Sequence, residues 1–186
     1  MIWWATTDQD VEAVAFYEQH YSAYRYADGR DRWQFLGPGD KYALRSCPWE
    51  PITALWGWRK FIDDCIDWRS GERQQGVNCA VFRNESRVLS SECIREADAV
   101  ADCLWADRRH YTYVDPKKVR SRNPGYCFLM AGWVRVPGFT KGGLIVLERI
   151  AEVGSHGNSV LSEASVPAQS EAQKSSFSSA AKDGQS

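Results

Sequence analysis

VNCAVFRNESRVLSSECIREADAVADCL, residues 77–104, decides how this chain folds. Its first seven residues, Val77 to Arg83, are rich in β-branched and apolar side chains and read as a strand. After Ser90 the pattern changes period. Leu89, Cys93, Ala97, Val100, Ala101 and Leu104 recur at spacings of three and four, with polar residues between them, which predicts an amphipathic helix. A strand feeding a long helix is the core of an α/β layer fold. Working outward, residues 111–114 (Tyr-Thr-Tyr-Val) form the next strand. Upstream, residues 41–47 and 52–60 read as the two strands of a hairpin. Residues 2–5 read as a short strand, and Thr6-x-x-Gln9 is a capping-box pattern that starts a helix running to about residue 19. Val11, Val14, Ala15 and Phe16 supply its apolar side.

Downstream, Asn123 is placed to cap a short helix, with Pro124 at its first position and Gly132 at its exit. Residues 133–136 and 144–150 close the domain as a hairpin. The predicted order is β-α-β-β-β-α-β-α-β-β, a mixed central sheet of six to seven strands flanked by helices. Residues 1–150 are expected to form one domain. Residues 151–186, mostly Ser, Ala, Gly, Glu and Gln, hold too little apolar surface to offset ordering entropy and are expected to be a disordered tail.

The net charge of −1 conceals an asymmetry. Residues 108–149 carry nine Lys and Arg against two Asp and Glu, a net +7, whereas residues 1–107 sum to −6. Within the basic segment, Lys117, Lys118, Arg120 and Arg122 fall within six residues. A cluster this dense points to a phosphate-bearing partner, or else to a solvated basic loop. The six cysteines are widely spread, with no C-x-x-C pair. They read as reduced thiols of a cytoplasmic protein, and no metal site is expected. No apolar run is long enough to span a membrane. The first ten residues lack the pattern of a signal peptide. There is no Walker loop, no Ser-His-Asp order and no paired-carboxylate motif.

Three places can carry chemistry. The first is the strand–turn–helix at residues 81–91. The orphan N–H groups of a helix start there make an anion site, unless Ser90 caps its own end. The second is Asp115-Pro116 with the cations that follow. An Asp among Lys117, Lys118 and Arg120 is expected to stay ionised and to suit accepting a hydrogen bond from an amine, or else to bond its own turn. The third is His20-Tyr21-Ser22, where a His beside Tyr and Ser can act as a base or an orienting group. The aromatic residues of the loop after it, Tyr21, Tyr24, Tyr26, Trp33 and Phe35, can stack on a base or simply pack over the sheet.

The element order, together with the ending Asn123…Phe128-Leu-Met-Ala-Gly132-Trp133, resembles the GNAT superfamily of N-acyltransferases over about residues 1–150. That resemblance implies acetyl-coenzyme A or another acyl-coenzyme A as donor. Its pyrophosphate would lie on the helix starting near Ser90, and its acyl chain between strands 77–83 and 111–114. Two departures stand out. The loop Arg83-Asn-Glu-Ser-Arg-Val-Leu-Ser-Ser contains no glycine, and Phe128 stands where the family has its general-acid tyrosine.

Three motifs are similar to those of a divergent branch, the phage-borne Mom-type proteins that modify adenine in DNA. They are His20-Tyr21-Ser22, then Asn84 with Ser86 and Arg87, then Asp115-Pro116 followed by Gly125 and Tyr126. That resemblance implies a reacting base surrounded by His20, Tyr21, Ser22, Asp115 and Tyr126. Arg83, Asn84, Ser86, Arg87, Ser90 and Ser91 would hold the donor's phosphates. Lys117, Lys118, Arg120 and Arg122 would bind DNA or the coenzyme's ribose phosphate. A conventional acyltransferase of a small amine or protein, and a non-catalytic nucleic-acid-binding protein, are the alternatives.

Overall fold

The computed structural model describes residues 2–23, 26–60, 71, 75–105 and 109–150. The expected disordered tail and Tyr24 lie outside the described residues. The elements run β1 (Trp4–Thr6), α1 (Val11–Glu18), β2 (Asp40–Arg45), β3 (Ala54–Lys60), β4 (Val77–Asn84), α2 (Ser90–Leu104), β5 (Arg109–Val114), α3 (Tyr126–Met130), β6 (Val134–Arg135) and β7 (Ile145–Ile150). The expected α/β class and element order hold. One seven-stranded sheet has the order β1-β2-β3-β4-β5-β7-β6. Every neighbouring pair is antiparallel except β4 and β5. These two are parallel because helix α2 carries the chain back between them, the connection that parallel strands require.

The two faces of the sheet bury different clusters. On one, α2 lays Cys93, Ile94, Ala97 and Ala101 against Trp56, Trp58, Val77 and Cys79. On the other, α1 packs Ala13, Val14, Phe16 and Tyr17 over Ala43, Leu55 and Val81. The buried stripe of α1 is shifted from the expected one, since Val11 is 82% exposed and Ala15 also faces water. Leu89 and Leu104 of the α2 pattern are exposed too, and Ile94 and Asp98 take the buried places.

The helix starts also differ from expectation. Asp10, not Thr6, caps α1, its carboxylate accepting from the N–H groups of Glu12 and Ala13 at 3.0 and 3.1 Å. Thr6 instead donates its hydroxyl proton to Asp10. An ionised carboxylate is a stronger acceptor at a helix start than a hydroxyl. Helix α3 starts at Tyr126 behind Gly125, which sits at φ 83°, so Asn123 and Pro124 lie in the turn before it. Gly132, at φ 97°, ends it as expected.

A β-bulge sets the site. Gly57 pairs with Val81 and Trp58 with Cys79, leaving Ala80 unopposed. The extra residue inverts the alternation along β4. Val77 and Cys79 face α2 before it; after it Val81 faces α1 and Phe82 packs on the α2 side. Pairing of β4 with β5 stops at the same level, at Cys79 and Thr112. The Thr112 hydroxyl closes that last rung by donating to the Cys79 carbonyl at 2.8 Å. Beyond it the two strands are no longer paired, and a gap opens between their C-terminal ends.

Candidate active site

That gap is a cavity of about 310 Å³. Ala80 and Phe82 of β4 line one wall, Thr112 to Asp115 of β5 the other, and Phe128 of α3 and Leu144 lie among its lining residues. His20, Tyr21 and Ser22, on the turn that leaves α1, also line it, as does Lys118. Segments separated by almost the whole described chain thus meet in one place. The motif at residues 20–22 and Asp115 were legible as candidates. The resemblance already implied a site between strands 77–83 and 111–114, but not the level at which they part, because nothing in a strand's own sequence marks where its partner will leave it; Leu144 was not singled out.

His20 is held at both ring nitrogens. Nε2 lies 3.1 Å from the carbonyl of Phe82, and Nδ1 lies 2.7 Å from the Ser22 hydroxyl. A carbonyl can only accept, so Nε2 carries the proton, and Nδ1 accepts from the Ser22 O–H. The Ser22 backbone N–H also points at Nδ1, at 3.3 Å. Burial lowers the His20 pKa to about 4, and the nearby Arg83 charge adds to the shift against a partly compensating bond to the Phe82 carbonyl. The imidazole is therefore neutral at physiological pH. An unfolded His gains its proton near its ordinary 6.5, and the folded one only near 4. Acidification through that window favours the unfolded chain. Thermal stability is expected to fall as pH drops from about 6.5 to about 4, and His20→Gln, measured across the same range, to shallow that fall; an identical pH profile in the variant would contradict it.

Tyr21 packs against His20, ring centroids 4.3 Å apart. Burial first, then the charges of its surroundings, push its hydroxyl up to about 12, against an opposing hydrogen bond from the Asp115 backbone. It stays protonated and available as a donor. The Cys79 thiol is pushed up by burial as well, so it stays a thiol. Asp115 makes the turn its sequence suggests, Oδ1 accepting from the Lys117 N–H at 2.9 Å, and it also lines the cavity. The turn role and the site role are compatible, because one oxygen serves the turn.

The residues expected to hold the donor's phosphates divide. Arg83 is committed elsewhere. It donates to the Phe16 carbonyl at 2.6 Å and to Gln19, pairs with Glu85, and lies 4.3 Å over the Phe16 ring. It fastens α1 to β4, because the bulge turned it to that face. Asn84, Ser86 and Ser90 do come together, but on one another. Asn84 accepts from the Ser86 N–H and hydroxyl and donates to the Val88 carbonyl and Ser90 Oγ. The N–H of Glu85 goes to Thr53 and that of Val88 to Ser86. Ser90 does not cap α2; Leu89 is the N-cap, with no side-chain bond. Arg87 is exposed, and Ser91 lies in the first turn. The N–H groups at 85, 86 and 88 of this glycine-free loop are already bonded, so a pyrophosphate would have to rest on the start of α2, whose N-cap Leu89 makes no side-chain bond.

Lys117, Lys118, Arg120 and Arg122 are all exposed, and Lys118 reaches the cavity. Tyr126 is 52% exposed and does not line the cavity; Phe128, two residues on, does. The helical turn separating them carries Tyr126 outward. Of the aromatic loop, Phe35 packs in the core, Trp33 is 62% exposed, and Arg30 lies 4.1 Å over the Tyr26 ring.

No protein-family model and no curated protein matches the sequence. Solved structures do match. The GNAT domain of S. lividans PAT aligns with TM-score 0.53 and 19% identity, over 80% of this chain and 89% of that one. Escherichia coli ElaA aligns with TM-score 0.52 and 11% identity, over 80% and 99%. An acyl-CoA N-acyltransferase from Pseudomonas aeruginosa reaches 0.48 at 16% identity. The first two, with the sheet order above, define the class: the chain has a GNAT fold. Among the described residues no helix is long and apolar enough to cross a membrane.

Proposed function

We propose that this chain is a GNAT-fold transferase, phage-borne as the Mom-type resemblance implies, that modifies adenine in DNA. The observation that carries the reading is the convergence of His20, Tyr21, Ser22 and Asp115 on one cavity also lined by Phe82, Tyr113, Phe128 and Lys118. Flat apolar walls suit a heteroaromatic ring. The Asp115 carboxylate, an acceptor only, selects a base that presents an exocyclic amine. Tyr21, protonated, donates to a ring nitrogen or to a developing oxyanion. A base inside a duplex cannot reach such a pocket, so the enzyme must extrude it or take single strands. The exposed cations at 117, 118, 120 and 122 then hold the flanking phosphates. An acyl-coenzyme A is the donor that the fold suggests. The N–H groups at 85, 86 and 88 are spent within the loop before α2, which leaves the uncapped start of the helix for its pyrophosphate.

A conventional amine acyltransferase is the second reading, favoured by the uncapped start of α2 beside Arg87. It predicts indifference to DNA. Lys117→Ala combined with Lys118→Ala is expected to weaken DNA binding and to flatten its dependence on log salt by about one unit per lost phosphate contact. Fluorescence anisotropy over a salt series measures both. Unchanged affinity and slope would assign the cations to no DNA contact and favour the second reading. A 2-aminopurine placed at an adenine position of a duplex reports extrusion directly. Its fluorescence should change on binding, and a constant signal at saturation would count against the nucleobase reading.

A further inference from the structure

We propose that Ser22 carries the transferred acyl group as a covalent ester, so that donor and acceptor occupy the cavity in turn. The proposal rests on the reading of this cavity as an acyl-transfer site. Two observations on the structure carry it. The first is a nucleophile, a base and an orienting group in hydrogen-bonded series. Ser22 Oγ lies 2.7 Å from His20 Nδ1, and His20 Nε2 is fixed by the Phe82 carbonyl at 3.1 Å. This is the arrangement that activates a hydroxyl, since the base accepts the proton and the third group sets its tautomer. The second is the loop before α2, whose N–H groups at 85, 86 and 88 are spent on Thr53, Asn84 and Ser86. A donor that finds these loop N–H groups already bonded, at a cavity of about 310 Å³ that must also take the acceptor base, gains from leaving before the base enters.

The chemistry balances with an activated acyl thioester or ester as donor. In the first half the Ser22 Oγ–carbon bond forms and the donor's carbon–sulfur (or carbon–oxygen) bond breaks. The serine proton passes to His20 Nδ1 and on to the departing thiolate or alkoxide. In the second half the amine nitrogen–carbon bond forms, the Oγ–carbon bond breaks, and one amine proton returns through His20 to Oγ. The Tyr21 hydroxyl, protonated and in the same cavity, is the donor available to the oxyanion in both halves. Cys79, which also lines the cavity, is a poor competitor because the thiolate is the reactive form and burial disfavours it.

The test is to mix the full-length protein with p-nitrophenyl acetate, and separately with acetyl-coenzyme A, without DNA, and to follow product release and intact mass. The expected result is a burst of about one leaving group per chain and the gain of one acetyl group, mapped to the peptide bearing Ser22. Ser22→Ala should lose both while keeping the wild-type melting curve. Ser22→Cys should restore an adduct that neutral hydroxylamine removes. Absence of burst and adduct with both probes would overturn the proposal, as would an adduct that persists in Ser22→Ala. A Ser22 ester that forms but passes to no DNA base would sustain this inference and remove the nucleobase reading.

Discussion

Asp115→Asn is expected to lower product formation by roughly 10²–10⁴-fold, the loss typical of a removed acid–base group. Melting temperature and DNA affinity should be unchanged. The reason is the division of labour within the carboxylate. One oxygen accepts from the Lys117 N–H, a bond that an asparagine oxygen reproduces. The charge, which orients and accepts from an incoming amine, is what asparagine lacks. A variant that makes product at the wild-type rate would reduce Asp115 to a turn residue and place the chemistry elsewhere.

Asp98→Ala is expected to destabilise the domain by about 3–5 kcal/mol, the cost of breaking a buried charge network from one side. Asp98 is 2% exposed on the inner face of α2. Its carboxylate accepts from Trp133 Nε1 at 2.8 Å and lies 2.8 Å from His110 Nδ1, and His110 is itself fully buried on β5. Truncation would strand the buried Trp133 N–H and remove the nearest partner of His110 Nδ1. The thermal midpoint should fall by on the order of 10 °C. Asp98→Asn, which keeps an acceptor, should lose less. A midpoint within a degree of wild type would show that the network contributes nothing net.

Much of this architecture was legible because period and punctuation agree. The three-and-four spacing from Cys93 to Ala101 survives as the buried stripe of α2. The switch from Val77–Arg83 to that helix also marked the α/β layer class. What sequence could not show was the bulge at Ala80. One unopposed residue turned Arg83 toward α1 and away from any phosphate, and it did so through pairing with β3, which no local pattern encodes. The cap at Asp10 was hidden for a smaller reason, since Thr6 and Gln9 matched a known pattern one turn early. His20-Tyr21-Ser22 and Asp115 could be picked out as reactive types, but their meeting across β4 and β5 is a property of the sheet. Tyr126 and Phe128 show the same limit at the scale of one helical turn, where only the packed structure tells which ring faces inward.

The central claim is that this cavity modifies adenine in DNA, and nucleoside mass spectrometry tests it most directly. DNA from cells expressing the wild-type chain, digested to nucleosides, should contain a new deoxyadenosine derivative heavier than the parent by one transferred group. The same digest from cells expressing Asp115→Asn should contain little or none of it. A wild-type digest holding only the four ordinary nucleosides, from cells in which the folded protein is abundant, would contradict the account.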